Sequence, residues 1–145
     1  MNAPESQETM AHRIARAAQE FERTRTGIEP KSVSVVQSEG TLVITVHGAL
    51  SPAERALSKT PAGAAQVQDF HRQLFASGSD ALRQEIKNIT GVDVRDATAE
   101  VDPATGTVVA VFSSGTVVQV YLLASAIAAD DWNAGASGAN GKAQE

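Results

Sequence analysis

From Ala64 to Ile89 apolar side chains return at helical spacing with no Pro to interrupt them, over more than twice the length of an average helix. Val67, Phe70, His71, Leu74, Phe75, Ala81, Leu82, Ile86 and Ile89 mark the side expected to be buried. A helix with one apolar stripe must lay that stripe on another layer. Gly91 fits the C′ position that ends such a helix, with Val92 as the apolar contact beyond it. Gly78 costs about 1 kcal/mol relative to Ala, which points to a break or kink near Ser77–Ser79.

The flanking segments supply that layer. Val33–Val36 and Thr41–Val46 read as two strands joined at Ser38-Glu39-Gly40. Leu42, Ile44 and Val46 share one face, and Thr41, Val43, Thr45 and His47 the other, as in a sheet packed on one side only. Past the long helix, Val92–Val101 and Thr107–Phe112 read as strands around the turn Asp102-Pro103-Ala104-Thr105-Gly106. Val117–Ala128 begins like a strand, with Gln119 and Tyr121 alternating with Val118, Val120 and Leu122, and becomes more helical from Leu123. A first helix spans about Gln7–Thr24, with Met10, Ile14, Ala17, Ala18 and Phe21 on its apolar stripe and Gly27 and Pro30 at its end. Ser51, Pro52 and Glu54 stand at the N-cap, N1 and N3 spacing of a capping box, starting a short helix that stops near Thr60-Pro61.

The expected fold is therefore α+β in the order α-β-β-α-α-β-β. It is a two-layer domain, an antiparallel sheet of two hairpins with helices on one face. Residues 1–132 form the single domain and residues 133–145, rich in Gly, Ala and Asn, a disordered tail.

The chain has 145 residues, a net charge of −5 and no Cys, which removes disulfides, Cys-ligated zinc and thiol nucleophiles. Arg13, Arg16, Arg23 and Arg25 are diluted by Glu20 and Glu22, so no basic stripe for nucleic acid is expected. The longest apolar run, Val117–Ala129, is shorter than the ~20 residues that span a bilayer, and no targeting leader precedes the first helix. A cytoplasmic location without direct membrane insertion is the expectation. His12, His47 and His71 lack metal-ligand spacing, and no carboxylate dyad or nucleophile elbow is present. No catalytic residue, metal or cofactor is assigned. Glu54, Arg55, His71 and Arg72 are the candidate ligand or interaction residues, although the capping box already explains Glu54 and a salt bridge between helices would explain Arg72.

The order of these elements carries a resemblance. Gly27 and Pro30 lead into a Val-rich hairpin, followed by Gly48-Ala49-Leu50-Ser51-Pro52-Ala53-Glu54-Arg55-Ala56-Leu57. The long helix closes with Ile89-Thr90-Gly91-Val92-Asp93-Val94, and a last hairpin ends in Val111-Phe112. Over roughly residues 8–113 this resembles the MpsC-like family, long a domain of unknown function. The resemblance implies a link to a sodium-translocating, membrane-potential-generating system whose membrane components are associated with inorganic-carbon uptake. It brings no catalytic residues. The implied role is a non-enzymatic soluble accessory or interaction protein with membrane transport components as partners. Separately, the expected sheet leaves edges and a second face to be covered, which points to a homodimer. The alternative is a small-ligand-binding regulatory domain with a pocket between sheet and long helix.

Overall fold

The structure is a computed structural model that describes residues 8–96, 109–111 and 116–137. Helix α1 (Met10–Thr26) leads into strands β1 (Ser32–Ser38) and β2 (Thr41–His47). Helices α2 (Pro52–Leu57) and α3 (Pro61–Thr90) follow, then β3 (Val94–Asp96), β4 (Val109–Val111), β5 (Val117–Leu123) and α4 (Ala129–Ser137). The α+β class and the expected order hold through β4, with β5 and α4 added.

Local chemistry sets the element ends. Thr9 caps α1 by accepting from the His12 N–H, and Gly27 ends it at φ +79°, its N–H donating to the Arg23 carbonyl. The β1–β2 turn puts Glu39 at φ 49° and Gly40 at φ 83°. Two consecutive left-handed residues match the twist of the strands they join. Thr60 caps α3 directly, so the long helix starts at Pro61, earlier than the periodicity suggests.

The sheet is fully antiparallel but is not two simple hairpins. Its order is β1-β2-β5-β3, with β4 also paired to β5. One edge of β5 takes β2 along its length. The other takes β3 near Leu123 and β4 near Val117. Alternation can show that 117–123 is a strand, but it carries no information about which strands it joins. The turn at 102–106 lies outside the described residues. Residues 133–137, expected in the tail, continue α4, and residues 138–145 lie outside the described residues.

Leu42, Ile44 and Val46 point inward with Val117, Tyr121 and Leu123. Helices α1 and α3 cover them with Ile14, Ala18, Phe21, Phe75, Leu82 and Ile86. The long helix runs through Gly78 unbroken. That glycine is buried beneath Arg25 of α1, whose guanidinium would lie 2.6 Å from a Cβ placed there. Phe70 departs from its expected burial and is 49% exposed. It sits one position before the buried line Val67, His71, Phe75, and its ring meets His71 edge-on at 5.5 Å. Ala81 is exposed as well.

Candidate functional site

The corner between α2 and α3 gathers half of the candidate residues. The capping box is complete: Glu54 N–H donates to Ser51 Oγ at 3.2 Å, and Ser51 N–H donates to Glu54 Oε1 at 2.9 Å. The second Glu54 oxygen reaches across to α3, where His71 Nε2 approaches Oε2 at 2.9 Å. His71 is 4% exposed, so this contact is shielded from water. Gly63 makes the corner possible, since a Cβ there would lie 2.0 Å from the Leu57 carbonyl oxygen. Glu54 is thus an N-cap partner and an anchor for a buried imidazole at once.

Arg55 and Arg72 do not join this pair. Arg55 is exposed, and Arg72 forms no salt bridge among the described residues, so the expected bridge between the two helices is not found. Asp69 instead accepts from Gln73 at 2.7 Å, and the Arg72 Nε is buried with no partner among the described residues. Beside the corner lies a notch of about 320 Å³ lined by Ile28, Ser51, Glu54, Leu57, Val67 and Phe70, among others. Leu57 and Phe70 are its exposed apolar walls. A larger open groove of about 790 Å³ runs between α1 and α3 over Phe21, Leu82 and Ile89, with Arg13, Arg16, Glu20, Arg25 and Glu85 around it. Arg16 bonds Glu8, and Glu20 bonds Arg23, so part of that charge is already paired.

A second polar group was not singled out from sequence. Glu22 on α1 and Gln119 and Tyr121 on β5 form a buried row. Tyr121 Oη donates to Gln119 Oε1 at 2.9 Å, and Gln119 Nε2 donates to Glu22 Oε2 at 3.4 Å. Glu22 Oε1 is buried with no hydrogen-bond partner among the described residues. Burial pushes the Glu22 carboxyl up to about 7, and the negative charge of Glu54 adds to the effect. Burial also holds the Tyr121 hydroxyl well above its ordinary range, with Glu22 adding to the rise and Arg83 opposing it. A signal for Glu22 did exist. It follows Ile14 and Ala18 at four-residue steps, which places it on the core-facing stripe.

The space between sheet and long helix, bordered by Glu22, His71, Phe75 and Gln119, measures about 10 Å³, room for one water molecule. Among the described residues no cluster of three or more His, Asp or Glu could hold a metal ion. No helix among them is long and apolar enough to cross a membrane.

No curated protein and no solved structure matches the chain. A family model does, over residues 6–114, and its description is "Na+-translocating membrane potential-generating system (MpsC)". The match covers most of the chain and includes both the Glu54 corner and Glu22, and on it this protein belongs to the MpsC family.

Proposed function

We propose that the protein is a peripheral, non-enzymatic component of the sodium-translocating system its family is named for, acting through protein contacts and self-associating as a homodimer. The observation that carries this reading is the face of the sheet that no helix covers among the described residues. Register places Val36, Val43 and Val120 side by side across β1, β2 and β5, with Val118 and Leu122 next to them. Val36 is 60% exposed. The remaining positions of this face on β1 and β2 are Ser32, Ser34, Ser38, Thr41, Thr45 and His47. The helices that pack on the sheet, α1 and α3, lie on the opposite face. On β1, β2 and β5 this face consists of Val, Leu, Ser, Thr and His47 and holds no Asp, Glu, Lys or Arg, so it can meet its own copy about a two-fold axis.

The ligand-binding alternative has less support. A pocket between sheet and long helix would have to be far larger than one water, since ligand pockets run to about 300–1,000 Å³. The test is light scattering on the full chain at rising concentration, together with copurification of sodium-translocating membrane subunits from the native cell. A dimer weakened by Val120→Asp, alongside recovery of those subunits, is the expected result. A species that stays near 15.1 kDa and recovers none of them overturns the reading.

A further inference from the structure

We propose that Glu22 is a proton-binding site that latches α1 to the sheet: with its proton the side chain holds the helix against β5, and ionisation loosens that contact. The geometry comes first. Glu22 is 5% exposed, and among the described residues its carboxyl meets a single side-chain donor, the Gln119 amide, at the long distance of 3.4 Å. An ionised carboxylate has about four acceptor sites to satisfy, and a buried one left short of donors is costly. The neutral acid asks for much less. Its free oxygen, Oε1, is buried and unpartnered among the described residues, and Glu22 borders a cavity with room for one water molecule.

The neighbours on every packed element point the same way. From β5 come Gln119 and Tyr121, both uncharged, with Tyr121 Oη committed to Gln119 Oε1. From α2 comes the like charge of Glu54. From α3 comes His71, whose Nε2 is already on Glu54, while Arg83 acts on Tyr121. On α1 itself, Arg25 borders the same cavity, but its guanidinium lies 5.7 Å over the Phe21 ring and is seated on Gly78. No described residue forms a salt bridge with Glu22. Burial and Glu54 together carry the carboxyl to about 7, where a modest pH change alters its charge.

The test follows the Glu22 side-chain carboxyl carbon by NMR in the ¹³C-labelled full chain from about pH 4 to about pH 9, with amide-exchange protection of α1 and β5 measured in parallel. The expected midpoint is near 7 rather than the ordinary 4.5, with protection of both elements dropping above it. In Glu22→Gln that drop should vanish. Histidines also titrate in this range. The variant keeps all three of them, so the difference between the two proteins belongs to Glu22. A midpoint in the ordinary glutamate range overturns the proposal. So does a midpoint near 7 with unchanged protection on either side of it. Both outcomes are read on the wild-type chain, so the proposal stays testable if the variant does not fold.

Discussion

The α2–α3 corner and the Glu22 row are both polar groups held against an apolar core, and they are built in opposite ways. At the corner, Ser51, Glu54 and His71 lie within a short stretch of chain, and both Glu54 oxygens have partners near 2.9 Å. In the row, Glu22 and Gln119 are separated by most of the chain, their bond is long, and one carboxyl oxygen has no partner among the described residues. A local motif can satisfy its own groups whatever the rest of the fold does. A long-range contact depends on the whole sheet being in register, so perturbing the row should cost more than perturbing the corner.

The largest effect is expected from removing β5. Truncation after Gly115 deletes the strand that β2, β3 and β4 all pair with, along with Val117, Tyr121 and Leu123 from the core. The truncated chain should lose its cooperative thermal transition in circular dichroism and aggregate. A folded product that stays in solution with its oligomeric state unchanged would mean that the sheet closes without its centre. This strand also lies beyond residue 114, where the family match ends. The family-like part of the chain thus rests on a strand outside the match.

Next comes pH. The folded-state value of Glu22, about 7, lies above the ordinary 4.5 expected once the chain unfolds. Between those values the folded state keeps a proton that the unfolded state has released, so stability falls as pH rises through this window and levels off above it. The full loss comes to about 3 kcal/mol. Urea midpoints measured at about pH 5 and about pH 8 should show the fall in the wild type and a much smaller one in Glu22→Gln. Parallel curves would place the row on the same footing as the corner.

How much of this was legible in sequence follows the same division. The capping box, the turn at Glu39-Gly40 and the end at Gly91 were all readable, because each is decided by neighbours a few residues apart. The inward set Leu42, Ile44, Val46 was readable from alternation. The central place of β5 was not, because strand order is fixed by tertiary pairing and not by pattern. The Glu54–His71 pair was only half visible: both were candidates, but nothing in their spacing says that α3 folds back over α2. That return rests on Gly63, which no periodicity highlights. Phe70 was misplaced for a related reason: the buried line on α3 runs through Val67, His71, Phe75, Gly78, Ser79, Leu82, Ile86 and Ile89, and a stripe that takes in every large apolar side chain is wider than that line.

Gly63 gives a corner perturbation of intermediate size. In Gly63→Ala the new Cβ meets a backbone carbonyl that cannot swing away as a side chain would. Overpacking of this kind costs about 1–3 kcal/mol. The cost should appear as a lower thermal midpoint, with the pH dependence assigned to Glu22 left in place. Loss of that dependence together with the stability would mean that corner and row are one cooperative unit.

The smallest expected effect is at Glu54. Glu54→Ala removes the acceptor for the Ser51 N–H and the partner of His71 in one step. Losing the cap alone is worth about 0.5–2 kcal/mol. Glu54→Gln keeps an oxygen for the Ser51 N–H and should recover part of that loss. The residual difference then measures the His71 contact, and a double-mutant cycle with His71→Ala isolates it. Removing the Glu54 charge also takes away one of the two causes that raise Glu22. The pH window of the row should therefore move down in both Glu54 variants. A Glu54→Ala protein with wild-type stability and an unmoved window would separate the two polar groups completely, leaving the row to be explained by burial alone.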